Sequence, residues 1–310
     1  MPKNFWRNLK KPIVCLAPMD GYTDTAFRRI CKKVNPNIIV FTEFTSADGI
    51  FHNAKKVKEK LNFDPSEQPI IAQIFGKDEK TFLAATKVCE EMGFAGIDLN
   101  MGCPAKKVVK SEHGIALRKK PDQAFRLVET VAQNTKLPVS VKTRLGWNDA
   151  GDLIDFGKGV ENAGADLIII HGRTYTVPYN CEANFEPIYE LKRNIKIPVI
   201  GNGGIASIQD GLDKLDNLDG FMIGRASFGN PWIFSPVIKN LTFAQKLPII
   251  KDHINYLVES KGQNRAMFEI RKHLVAYVKS FPGASEFRAS LVRVENPQQA
   301  FEILEKIAKI

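Results

Sequence analysis

The sequence predicts an α/β fold: a (β/α)8 TIM barrel over residues 1–240, followed by a small all-helical domain over residues 241–310. Three observations carry this. Eight short apolar runs are spaced along the first part of the chain, and helical periodicity fills the stretches between them. From about residue 243 to the end the strand signal vanishes while the helical one persists. Continuous apolar runs mark strands buried on both faces, as in a parallel sheet with helical crossovers, and eight of them suggest closure into a barrel.

In order, the runs are VCLAPM (14–19), IIVFTE (38–43), IIAQIFG (70–76), GIDLN (96–100), PVSVKT (138–143), LIIIHG (167–172), PVIGNG (198–203) and GFMIGR (220–225). The connecting segments carry helix start and stop signals. Asp78 precedes EKTFLAATKVCEEM and Gly93 follows it, with Phe82, Ala85, Val88, Cys89 and Met92 on one face. Ser207, three residues ahead of Asp210, reads as a capping box. TKLPVSVKT and NIKIPVIGN repeat a Lys-apolar-Pro-Val entry into a strand, an echo expected of repeated βα units. Past GNPWIF, the stretch AMFEIRKHLVAYVKSF is helical, and Asn296 with first-turn Pro297 starts QQAFEILEKIAKI.

Across 310 residues the composition, 44% hydrophobic and 25% charged, is that of a soluble globular protein. No run approaches the roughly 18 apolar residues of a membrane helix. The basic start MPKNFWRNLKKPIVCLAPMDG has a short apolar run and no small-residue cleavage pattern, so we expect no signal peptide and a cytoplasmic protein. Cys15, Cys31, Cys89, Cys103 and Cys181 are odd in number, scattered, and never form C-x-x-C, which argues against a disulfide framework and a zinc site. The net charge of +10 suits a polyanion such as nucleic acid, and a solvated basic surface equally well.

Chemistry in such a barrel gathers where strands end and loops begin. Those ends carry Pro18-Met19-Asp20, Glu43, Gln73, Asn100 with Cys103, Lys142 with Arg144, His171 with Arg173, Asn202-Gly203-Gly204, and Gly224-Arg225. The glycines at the seventh and eighth ends suit a phosphate held by bare backbone N–H groups, with a plain tight turn as the alternative for GNGG. Lys142, Arg144 and His171 suit stabilisation of negative charge on a ring anchored by that phosphate, such as a reduced flavin. Alternatively they pair with Glu43 and Asp98 in a salt-bridge network. Cys103, in DLNMGCPAKKV, is either a small buried filler or a reactive thiol; mostly protonated near pH 7, it is able to donate a proton.

These residues carry a resemblance. The chain resembles the flavin-dependent tRNA-dihydrouridine synthases through LAPMDGYTDTAFR (16–28), QIFG (73–76), DLNMGCPAKKV (98–108), VKTRLGW (141–147), IHGRT (170–174), GNGGI (201–205), MIGRASFGNPWIF (222–234) and RKHLVAYVKSFPGASEFR (271–288). It implies reduction of the C5–C6 double bond of particular uridines in tRNA, with FMN as cofactor, NADPH as electron donor, no metal, and hydride delivered to C6. By the same resemblance Cys103 is the general acid that protonates C5, and Asn100, Arg144 and Arg173 meet the substrate. Pro18, Met19, Asp20, Gln73, Lys142 and His171 fall to the isoalloxazine, and Asn202, Gly203, Gly204, Gly224 and Arg225 to the phosphate end. The chain departs from the family pattern in SEHGIALRKKP (111–121), which replaces a loop richer in glycine and alanine, and at Asp20, where a small residue is common.

On the RNA side, Lys106, Lys107 and Lys110 follow the thiol, Arg118, Lys119 and Lys120 close the same loop, and Arg265, Lys272 and Lys279 recur every seven residues. Residues 241–310 hold eleven Lys and Arg against seven Asp and Glu. A buried uridine must be flipped out to reach a barrel mouth, at a cost of a few kcal/mol that a second basic domain helps to offset. We expect a monomer. Two rival readings remain: an FMN barrel acting on a free small molecule, like a dihydroorotate dehydrogenase, and an RNA-binding barrel without chemistry. The first has no need of a basic helical domain, and Cys103, Lys142 and His171 speak against the second.

Overall fold

The computed structural model describes residues 3–235, 237, 241–279, 281 and 283–310. Residue 240, the expected domain boundary, and residues 280 and 282 of the last motif lie outside the described residues.

Nine parallel strands form the sheet: β1 Ile13–Leu16, β2 Val40–Phe41, β3 Thr45–Ser46, β4 Ile70–Phe75, β5 Gly96–Met101, β6 Val139–Arg144, β7 Leu167–His171, β8 Val199–Asn202 and β9 Gly220–Ile223. Their order is β1-β9-β8-β7-β6-β5-β4-β2, with β3 also paired to β4. The cylinder closes between β1 and β2, where Leu16 N–H donates to Ile39 O and Ile39 N–H to Val14 O, both at 2.9 Å. This is the expected TIM barrel. The fold differs from the sequence reading at its second strand, which breaks after Phe41 and resumes at Thr45. Phe41 and Thr45 are four positions apart while their partners Ile71 and Ile74 are three apart, so the strand carries one extra residue, a bulge. Across the bulge the Thr42 hydroxyl accepts the Gln73 N–H at 2.9 Å in place of a backbone carbonyl.

Not every strand is apolar on both faces. On β5 and β6, Asp98, Asn100, Ser140, Lys142 and Arg144 occupy every second position, while Leu99, Met101, Val139 and Val141 join the layer under the outer helices. The inner layer, Cys15, Phe41, Ile71, Ile169, Ile200 and Met222 among others, is capped by Phe5 and Trp6. These sit on a short helix, Phe5–Asn8, that sequence patterning did not signal.

The helix signals fare well. Asp78 accepts the Thr81 N–H to start Glu79–Glu91, and Asn296 accepts the Gln299 N–H to start Pro297–Ile307. At Ser207 the expected capping box is half present: its hydroxyl accepts from Asp210 N–H, but the Asp210 carboxylate accepts from Ala206 rather than from the cap itself.

Helices Phe243–Lys261, Gln263–Tyr277, Ala284–Leu291 and Pro297–Ile307 bury a core of their own, including Ile250, Ile254, Leu257, Ile270, Leu274 and Leu304. Ala26 and Trp232 of the barrel join it. Two expected basic patches change character. Arg118 is buried, donates to Leu145 O and Asp152, and lies 4.0 Å from the Phe156 ring, because an aromatic and an acid distant in sequence meet it there. Arg265 is paired with Glu59 and Glu269, Lys272 donates to Gly21 O, and Lys279 falls beyond the helix end, so the seven-residue stripe partly ties the helical region to the barrel. No helix of the described residues is long and apolar enough to cross a membrane.

Candidate active site

The strand ends open into a cavity of about 500 Å³ lined by every residue assigned to the site from sequence except Arg173. Parallel register explains the grouping: Asn100 on β5 sits beside Lys142 on β6, and Arg144, His171 and Asn202 form one row across β6, β7 and β8. Arg173 lies behind the rim, buried, with Nε donating to Cys181 O at 2.8 Å. Tyr22, Phe44, Tyr179 and Phe228 line the cavity too, and sequence reasoning did not single them out. Tyr22 and Phe228 lie within two of the quoted motifs and stack at 4.1 Å between centroids. Tyr179 stands in a loop with no periodicity to mark it.

One hydrogen-bonded chain crosses the floor. Asp98 accepts from Ser140 Oγ at 2.6 Å and from Gln73 Nε2 at 2.7 Å. Gln73 Oε1 accepts from Asn100 Nδ2 at 2.9 Å, and Asn100 Oδ1 accepts the N–H groups of Gly102 at 3.2 Å and Cys103 at 3.0 Å. The Asn100 oxygen is therefore fully used within the protein, leaving a single N–H to offer a ligand. Cys103 itself is partly buried, and its carbonyl accepts from Ile115 N–H at 3.3 Å. Burial pushes its thiol pKa up despite the Ala105 N–H and the nearby Arg144 and Lys142, so the thiol is held protonated.

The arginines of the site lack acidic partners. Arg144 donates to Gly102 O, Thr174 O and the Tyr179 hydroxyl, and Arg225 to Tyr179 O; among the described residues neither these two nor Arg173 has a carboxylate within salt-bridge distance. Lys142 Nζ donates to Asn202 Oδ1 at 3.0 Å, and burial lowers its pKa. The alternative salt-bridge network fails, because Glu43 accepts from Gly21 N–H and Asp98 is engaged by Gln73 and Ser140. Burial, reinforced by Lys142, Arg144, Arg173 and Arg225, holds the His171 imidazole far below its ordinary pKa; it is neutral, with Nδ1 buried and unpartnered. Gly203 and Gly204 adopt φ of 124° and 68°, and neither N–H donates to a backbone group among the described residues. A Cβ on Gly203 would also sit 2.9 Å from that of Ala183.

The model of the dihydrouridine synthase family matches residues 15–310. The chain belongs to that family. It is 34% identical to a dihydrouridine synthase of Synechocystis sp., named "Probable tRNA-dihydrouridine synthase 1", over 94% of this chain and 85% of that protein. It is 33% identical to tRNA-dihydrouridine synthase B of Pseudomonas aeruginosa, over 91% and 88% of the two chains. The protein of the same name from Xanthomonas campestris pv. campestris is 34% identical, over 93% and 90%. As a dihydrouridine synthase the chain is an oxidoreductase, and the resemblance read from its motifs is borne out. The binding-only and free-small-molecule readings give way.

Proposed function

We propose that this protein reduces the C5–C6 double bond of uridines in tRNA, with FMN as resident cofactor, NADPH as electron donor, and Cys103 Sγ as the proton donor to C5. The tRNA substrate is carried over from the names of its relatives. The observation that carries the mechanism is the protonated Cys103 thiol at a cavity whose Arg144 and Arg225 have no salt-bridge partner among the described residues.

The residues present fit FMN. The free N–H groups of Gly203 and Gly204, with Arg225, suit its phosphate, and the unpartnered His171 Nδ1, Lys142 and the apolar Ala17, Met19 and Met222 suit its ring. When bound there, FMN would supply the two-electron chemistry, with NADPH as the source of the hydride that C6 of the uracil would receive. Cys103 then completes the addition: its S–H bond breaks, the proton forms the new C–H bond at C5, and the thiolate is reprotonated from solvent. Lys142 and Arg144 stabilise the negative charge that develops on the uracil carbonyl between these two transfers. Exposed Lys106, Lys107 and Lys110, on the short helix directly after Cys103, reach for phosphates around the flipped nucleotide.

Cys103→Ala separates the half-reactions. NADPH oxidation by the flavin is expected to continue at the parent rate in stopped-flow experiments, while single-turnover reduction of tRNA falls by about a hundredfold or more. Parent-like tRNA turnover in the variant removes Cys103 from the mechanism.

A further inference from the structure

We propose that Asp98 is a positioning residue, whose carboxylate sets the direction of the Gln73–Asn100 amide chain that anchors the Cys103 loop. The argument is one of donor and acceptor count. Asp98 accepts at both oxygens, from Ser140 Oγ at 2.6 Å and from the Gln73 NH2 at 2.7 Å. That turns Gln73 Oε1 towards Asn100 and obliges Asn100 to present its NH2, at 2.9 Å. Asn100 Oδ1 is left facing the N–H groups of Gly102 and Cys103. Reversing any single amide would set oxygen against oxygen or N–H against N–H. Asp98, Gln73 and Ser140 are fully buried, so water does not repair such a mismatch. Burial raises the Asp98 carboxyl to about 7, and the Ser140 and Gln73 hydrogen bonds and the Lys142 ammonium oppose that rise. Asp98 thus acts at Cys103 through two intervening side chains and touches no reacting atom. The mechanistic consequence rests on the reading of Cys103 as the acid; the anchoring itself does not.

The test reverses the chain. In Asn100→Asp, two carboxylates flank Gln73, whose single NH2 satisfies one of them while Oε1 meets the other. Adding Asp98→Asn restores a consistent chain running the opposite way: Ser140 to Asn at 98, that amide to Gln73, and Gln73 to Asp at 100, which still accepts from Gly102 and Cys103. The readout is the rate of Cys103 alkylation by iodoacetamide in the full-length holoenzyme, on a Cys181→Ser background because Cys181 is the other thiol that is not buried.

Asn100→Asp is expected to change that rate by roughly tenfold, and Asp98→Asn with Asn100→Asp to return it to within about twofold of the parent. Asp98→Ala with Asn100→Asp has the same charge but no amide at 98, and is expected to stay like the single variant. If it recovers equally, or if the Asn double variant does not recover, the chain direction is not what anchors the loop. Should Asn100→Asp not fold, Gln73→Glu provides the second pair: alone it opposes Asp98, and with Asp98→Asn the amide at 98 donates to the carboxylate at 73 while Asn100 goes on donating to it and accepting from the Cys103 turn, so recovery supports the proposal and its absence overturns it. Alkylation needs neither NADPH nor tRNA. Parent-like tRNA turnover by Cys103→Ala therefore defeats the proposed function while leaving this result standing.

Discussion

At Gly114 the backbone adopts φ of 61°, and a Cβ placed there would lie 2.8 Å from the Cys103 carbonyl oxygen and 3.1 Å from the Cys103 Cβ. The residue sits in SEHGIALRKKP, the loop in which the chain departs from the pattern expected of the family, and it backs directly against the thiol-bearing turn. Two effects therefore coincide in Gly114→Ala: a left-handed conformation unfavourable by about 1–2 kcal/mol for alanine, and a push on Cys103 from behind. The first lowers the thermal midpoint; the second displaces the proton donor. We expect uridine reduction to slow by about tenfold or more while flavin reduction by NADPH is nearly unchanged. Equal slowing of both half-reactions would reduce the glycine to a matter of folding alone.

At the level of elements, what a pattern conveys depends on how local its cause is. Strands such as β4 and β7 were readable because burial on both faces writes itself into a contiguous apolar run, and the caps at Asp78 and Asn296 because a cap acts three residues away. The bulge in β2 was not, since it rests on the Thr42 hydroxyl meeting Gln73 on another strand. Most of the site was legible for the same reason as the strands, as polar residues at the ends of apolar runs. Tyr179 was not, because what makes it part of the cavity is contact with Arg144, Arg225 and His171 from three other segments. Nor does a basic run reveal which of its members are free. Arg118 and Arg265 already have acidic partners, whereas Lys106, Lys107 and Lys110 are exposed on Lys106–Lys110 with no salt bridge among the described residues. Replacing these three lysines by alanine is expected to weaken tRNA binding and flatten the plot of log K against log salt by roughly one unit or less per lost contact. Flavin content stays the same. An unaltered slope in the triple variant moves the RNA footprint to another face.

For the whole molecule, the consequential feature is a buried polar cluster where the two cores meet. Asp24, N-cap of the helix Thr25–Val34, accepts from Lys261 at 2.7 Å, and Lys261 also pairs with Glu269. Against them lie His253, whose Nδ1 is 3.0 Å from the Tyr277 hydroxyl, and His273, with both ring nitrogens buried and unpartnered. His273 in turn packs edge-on to Tyr22, so the cluster reaches the rim of the cavity. Burial pulls the His253 pKa down to about 4, helped by Lys261 and Lys272 and opposed by Asp24, and pulls His273 well below its ordinary value. Burial pushes Asp24 up, but Lys261, His273 and His253 together outweigh it and hold the carboxyl at about 2. A histidine with a depressed pKa in the folded state gains its proton first in the unfolded chain, so its contribution is intact above the unfolded value of 6.5 and shrinks as pH falls towards 4. Asp24 follows, its contribution being lost as pH falls from 3.8 through 2. The His253 contribution should therefore begin to fall near pH 6.5 and be smaller by about 3 kcal/mol at pH 4, while Asp98, raised by burial to about 7, acts in the opposite sense over the same range. His253→Leu tests the assignment by calorimetry across that range: the variant loses the Tyr277 contact and is less stable at pH 8, yet its midpoint declines more gently between pH 6.5 and 4. A decline as steep as the parent's would place the acid sensitivity elsewhere than at this junction.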